Sequence, residues 1–166
     1  MRQPRERAVN HGIPDMSLRD KFTADLKDAM KAGEKAKVAA IRLITAALKD
    51  RDILARGEGK TVSEDDILAL LQKMVKSRQE SLEIYEKNNR PELAAQEKGE
   101  IEVISSYLPK QMDEAAMADA VKAAIAETGA ASMKDMGKVV GALKAKFTGQ
   151  MDFAKASAAV KAALSG

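Results

Sequence analysis

No cysteine occurs among the 166 residues, which excludes a disulfide framework, thiolate-held zinc or iron–sulfur centres, and a thiol nucleophile. Such a chain suits a reducing compartment. Histidine is almost as scarce. The single His11 lies near the start of the chain, leaving no material for histidine general-base chemistry or a histidine metal cluster. Tryptophan is absent, and two Tyr and three Phe cannot assemble the aromatic platform on which several unpaired bases stack. No apolar run approaches the roughly twenty residues of a membrane span, and the first residues lack the apolar stretch of a secretory signal. The expectation is a cytoplasmic chain with no cofactor, no metal and no membrane partner.

Hydrophobic residues make up 45% and charged residues 32% of the chain, with a bias toward Ala, Lys, Glu and Leu that predicts helix and excludes an acidic disordered tail. The length suits one modest domain or two small ones, burying about 70% of the extended surface if it folds as one body. The net charge is +3, and residues 110–166 hold eight Lys against six acids, with no Arg. That bias permits a phosphate-rich partner, although a solvated lysine face produces the same count.

Residues 1–15 carry two Pro and no apolar periodicity, and read as a disordered leader ahead of a start at Met16. Ser17 followed by Asp20 opens the first helix, with Leu18, Phe22, Leu26 and Met30 at fourfold spacing, and Gly33 stops it. A second helix is expected over 34–56, ending at Gly57 to Gly59; Ser63 caps a third over 64–88; Pro91 opens a fourth over 91–107. The segment Leu108-Pro109-Lys110-Gln111-Met112 reads as a linker, dividing a helical bundle (16–109) from a C-terminal domain (110–166). That second part reads as three short helices, capped by Asp113, Ser132 with Asp135, and Asp152. The fold class is all-α: an N-terminal antiparallel bundle and a small three-helix domain.

Several polar residues fall on apolar faces. Arg78 lies within about 20° of the centre of the Ile67–Met74–Tyr85 stripe, and Glu97 and Glu100 lie inside the stripe of the fourth helix. An antiparallel hairpin turning near Asn89 sets Arg78 level with position 100, which predicts an ion pair with Glu100 or Glu97. Its role is either a structural bridge that fixes register or, with Arg42, Lys49 and Lys76, part of a polar groove that meets a ligand or RNA backbone. In the second part Lys134, Gly137, Lys138 and Gly141 gather on one helix, followed by Lys144 and Lys146. Glycine inside a helix costs about 1 kcal/mol, so the pair marks close helix packing or close approach by a partner. The lysines and glycines lack the spacing of a phosphate loop. Ser105-Ser106 has no Gly/Ser-rich surroundings for nucleophilic work and reads as capping or solvated. No catalytic constellation is present.

Taken together, Lys76-x-Arg78-x-x-Ser81, Asn89-Arg90-Pro91-x-Leu93, Glu97 to Glu100-Ile101 and Tyr107-Leu108-Pro109-x-Gln111-Met112 resemble the YqeY family of the GatB/YqeY superfamily. The tail agrees, in Asp135-Met136-Gly137-Lys138-Val139-Val140-Gly141 followed by Gly149 and Asp152. The resemblance spans 16–166. It implies a C-terminal domain similar to the tail of the GatB subunit of the tRNA-dependent amidotransferase, a tail that engages tRNA. It also implies carbon–nitrogen ligase chemistry with glutamine as amide donor, while the glutaminase triad and the phosphate-handling domain which that chemistry needs are missing here. What transfers is RNA engagement by Lys134, Lys138, Lys144 and Lys146 around Gly137, Gly141 and Gly149. Gln150-Met151 depart from a family tendency toward a Lys-Ala-like pair. The expected function is a non-catalytic tRNA-binding accessory, with an amidotransferase or a tRNA-charging complex as its expected company. The alternatives are an amidotransferase subunit and a protein–protein adaptor using an apolar groove between the two domains.

Overall fold

The computed structural model describes residues 16–165. Among them are seven helices: α1 (Leu18–Ala32), α2 (Lys35–Gly57), α3 (Glu64–Lys87), α4 (Pro91–Ser105), α5 (Glu114–Thr128), α6 (Met136–Phe147) and α7 (Phe153–Ser165). No strand occurs among the described residues. The expected leader lies outside them.

The helix ends follow the local chemistry. The Ser17 hydroxyl accepts from the Asp20 amide at 3.2 Å, and Gly33 closes α1 in the left-handed conformation at φ 70°, where a side chain is strained. Ser63 and Asp66 form a reciprocal capping box, each side chain accepting from the other's amide. Pro91 stands in the first turn of α4, where its missing N–H costs nothing. Asp113 accepts from the Ala116 amide at 2.7 Å, and Asp152 from the Ala154 and Lys155 amides.

Beyond one-residue shifts at both ends of α2 and at the end of α3, two boundaries differ from the sequence reading. The Ser132–Asp135 box opens a 3-10 turn, Met133–Asp135, and the α-helix proper starts one residue later. Helix α4 stops at Ser105, two residues early, and Tyr107 and Leu108 continue as single turns bonded to Ile104 and Ser105. The cause is Pro109, whose ring disfavours helix in the residue before it.

Buried apolar side chains form two clusters. In the first, α1 to α4 converge on Phe22, Ile41, Ile44, Ile67, Leu71 and Ile104. Each is essentially inaccessible, a burial that stabilises by about 1.5–3 kcal/mol per side chain. The Tyr107 ring stands edge-on to Phe22, centroids 4.8 Å apart, and its hydroxyl donates to Asp25 at 2.5 Å. Burial, followed by the bond to Asp25 and its charge, pushes the Tyr107 hydroxyl well above the usual phenol range. The second cluster joins α5, α6 and α7 through Val121, Val139, Leu143, Met151, Ala156 and Val160.

The stretch between the clusters is tied down. Gln111 donates to the carbonyls of Pro109 at 2.9 Å and Gly149 at 2.6 Å. Its own carbonyl oxygen accepts from Gln72 of α3 at 3.0 Å, and Gln72 also donates to the Met151 carbonyl at 3.1 Å. The Met112 amide donates to Gln150 at 2.8 Å. A strap of hydrogen bonds thus lashes the α6–α7 loop to α3.

Candidate functional site

The face of α6 turned away from the second cluster is built from glycine and lysine. Val139 and Leu143 point inward and are fully buried. On the opposite side Gly137, Gly141 and Lys144 follow at spacings of four and three, so they lie on one line, with Lys138 beside it. Lys134 stands in the preceding 3-10 turn. All five are exposed. An alanine methyl at Gly137 or Gly141 would meet nothing within 4 Å. Of the two causes that put glycine inside a helix, close packing is absent here, and the backbone stays open to an approaching group.

The remaining residues of that expected set fall elsewhere. Lys146 projects to the side and pairs with Glu127 of α5 at 2.8 Å. Gly149 is buried in the α6–α7 loop at φ 81°, with its ideal Cβ position 3.0 Å from a Leu68 carbon. Its role is therefore to let that loop close onto α3. Lys144 sits 6.0 Å from the Phe153 ring centroid, at the outer limit of a cation–π contact. Asp135 accepts from the Ala131 and Ser132 amides, which with nearby Lys138 hold its carboxyl below the usual range.

The expected hairpin pair is present. The Arg78 Nε atom donates to Glu100 at 3.0 Å, and the two side chains are only 18% and 14% exposed. Arg78 also reaches the Met74 carbonyl at 3.3 Å, and Gln96 donates to the other Glu100 oxygen at 3.3 Å. Glu97 is left over, with its Oε2 atom buried and unpartnered. Burial, then the Glu100 charge, pushes the Glu97 carboxyl above the usual range, and Arg78 only partly offsets this. Arg78 thus pairs with Glu100 and leaves Glu97 without a hydrogen-bond partner at Oε2.

The other cations named with Arg78 do not gather around it. Lys76 reaches across from α3 to Asp152 at 3.5 Å. Burial alone would raise the Asp152 carboxyl, yet the Lys155 and Ala154 amides and then Lys76 hold it below its usual range. Arg42 borders a separate hollow between the end of α1 and the start of α2, and Lys49 is exposed on α2. A cleft of about 680 Å³ runs between α3, the strap and the start of α7. Its walls include Val75, Leu108, Met112 and Phe153, with Lys73, Lys76, Lys110 and Lys155 against Glu114 and Asp152.

Sequence reasoning missed Gln72, Lys73, Lys110 and Lys155 in this cleft, and Gln111 as its fastening. The signal for Gln111 was faint: an amide side chain directly after Pro-Lys in a stretch that reads as a linker. Among the described residues no cluster of three or more metal-capable side chains occurs, and no helix is long and apolar enough to cross a membrane.

A family model described as "Yqey-like protein" matches residues 19–164, nearly the whole chain. This chain belongs to the YqeY family. Among curated proteins, the YqeY chain is similar to "Altered inheritance of mitochondria protein 41, mitochondrial" of Saccharomyces cerevisiae (strain YJM789), with 33% identity over 84 residues. The Lachancea thermotolerans protein of the same name is 37% identical over 84 residues. Both matches take in 51% of this chain and span 44% of the relative's length.

Proposed function

We infer that this YqeY protein is a non-catalytic tRNA-binding accessory whose contact surface is the outward face of α6. It serves beside an amidotransferase or a tRNA-charging complex. One observation carries the reading: Gly137 and Gly141 are exposed, meet no neighbour and lie in line with exposed lysines. Two helix-weakening residues without an internal packing role are accounted for if a phosphate backbone comes close to the helix between Lys134, Lys138 and Lys144. Lysines recognise such a backbone as point charges, so tRNA shape and phosphate positions are read rather than base edges. With Lys146 committed to Glu127, the face carries three lysines and no catalytic group. The cytoplasmic expectation belongs to this reading; the yeast relatives are named mitochondrial, and tRNA is present in both settings.

The test is binding of a labelled tRNA transcript to the full chain at two salt concentrations. Affinity should fall as salt rises, and Lys134→Ala/Lys138→Ala/Lys144→Ala together should reduce the slope of log K against log salt by roughly 2–3, about 0.7–0.9 per phosphate contact. Absence of binding at low salt, or a triple variant that binds like the parent, refutes the proposal. An amidotransferase role would instead make the pure chain release ammonia from glutamine.

A further inference from the structure

Helix α2 carries a second unpartnered surface, unrelated to the α6 face. Its inner side supplies Ile41, Ile44 and Leu48 to the first cluster. Its outer side has a seven-residue repeat. Lys35, Arg42, Lys49 and Arg56 recur every seven positions, all exposed. Immediately beside that column runs a seam at alternating steps of three and four: Ala36, Ala39, Leu43, Ala46, Asp50 and Ile53. All six seam residues are exposed, with Leu43 39% and Ile53 57% accessible, and Leu54 on its far flank is 56% accessible. The arrangement is one half of a coiled-coil interface. It has a small and aliphatic seam interrupted by one acidic position, Asp50, and a flanking column of a single charge sign. The column runs about 31 Å at 1.5 Å per residue.

We propose that the outer face of α2 docks an acidic amphipathic helix of a partner protein, with aliphatic residues against the Ala39–Leu43–Ala46–Ile53 seam and carboxylates facing Lys35, Arg42, Lys49 and Arg56. The four cations take part in none of the ion pairs found among the described residues, so their charge is available to that helix. Ala39 and Ala46 let a second backbone come near, and Leu43 stands between them as a knob. At the start of α2 the surface continues into the hollow bounded by Met30, Gly33, Val38 and Arg42, where Met30 is 55% exposed. A bulky side chain near the end of the docked helix has a seat there.

A second copy of this chain is the wrong occupant. In an antiparallel pairing the cation columns face one another, and in a parallel pairing they face Ala40, Ala47 and Leu54, which offer no negative charge. Nucleic acid gains nothing from an exposed leucine and isoleucine. An anionic membrane requires no seven-residue period.

The probe is a labelled synthetic helix of about four heptads, Leu at its seam positions and Glu on both flanks, compared with a Lys-flanked twin. Both are titrated by fluorescence anisotropy against the full chain. The Glu helix should bind, more weakly as salt rises, and the Lys helix should not. Arg42→Glu/Lys49→Glu should weaken the Glu helix by about tenfold or more and allow the Lys helix to bind, a charge swap. Leu43→Gln should weaken the Glu helix with circular dichroism unchanged. Equal binding of both helices, binding of neither, or indifference to the reversal overturns the proposal. So does capture of duplex RNA or phosphatidylserine vesicles that the same reversal abolishes. The reversal leaves α6 intact, so tRNA binding retained in it separates the failure of this surface from failure of the tRNA reading.

Discussion

Gly141 and Gly149, eight positions apart, should answer alanine with opposite signs, and the difference follows from their surroundings. Gly141 lies inside α6, where an added methyl meets nothing within 4 Å. Replacing it removes the entropy penalty of a helical glycine, worth about 1 kcal/mol. For unfolding of a chain of 166 residues this raises Tm by about 2–4 °C. Gly149 holds φ 81°, and its added methyl would lie 3.0 Å from the Leu68 Cδ1 atom and 3.1 Å from its Cβ. The Cδ1 end can rotate away; the Cβ is fixed by the α3 backbone. The left-handed conformation alone costs a side chain about 1–2 kcal/mol, so Gly149→Ala should destabilise by about 2 kcal/mol or more. Thermal unfolding by circular dichroism and urea titration read both variants. The Gly141→Ala chain should also bind tRNA severalfold more weakly despite being more stable, because its methyl stands where the RNA backbone is to approach. A destabilised Gly141→Ala would mean that something covers α6 in solution, and a neutral Gly149→Ala would mean that the loop is not seated on Leu68. Either outcome refutes the reasoning.

Arg78→Met should cost about 2 kcal/mol in urea titration, below the roughly 3–5 kcal/mol of a fully buried pair, because it leaves Glu97 and Glu100 facing each other with their cation gone. Unchanged stability together with lost tRNA binding would reject a structural role for the bridge. Glu97 supplies a pH dependence. Its folded-state carboxyl is raised, so between the ordinary carboxylate range and that raised value the folded chain holds more protons than the unfolded one, and stability falls as pH increases through that window. Glu97→Gln should therefore stabilise the chain at pH 7 and lose that advantage in acid below the ordinary carboxylate range. A variant whose gain is the same at both ends sinks the assignment.

Legibility in the sequence tracks the range of the interaction. Caps such as Ser63 with Asp66, and the left-handed stop at Gly33, follow from chemistry within four residues and could be read directly. The Arg78–Glu100 pair lies 22 positions apart, yet it was legible because a helical hairpin converts a turn position and a rise per residue into a level. The ties from Gln72 to Gln111 and Met151 span 39 and 79 positions. No periodicity encodes them, and so a fastened strap read as a linker. The same limit explains Gly149. The family resemblance grouped it with Gly137 and Gly141, whereas only the docking of the loop on Leu68 reveals that it serves packing and the other two do not.

The division has a functional consequence. The strap, Lys76–Asp152 and the Gly149–Leu68 contact all fasten the α6–α7 loop to α3. Fastening one end of α6 fixes the direction in which its glycine–lysine face is presented relative to α3. A surface built from a few long, flexible lysines gains affinity when the backbone beneath them is held, because less entropy is lost when a rigid partner is engaged. On the tRNA reading, the fastened junction and the open helix face are parts of one device, in which the hydrogen bonds at the base would hold the lysines in position.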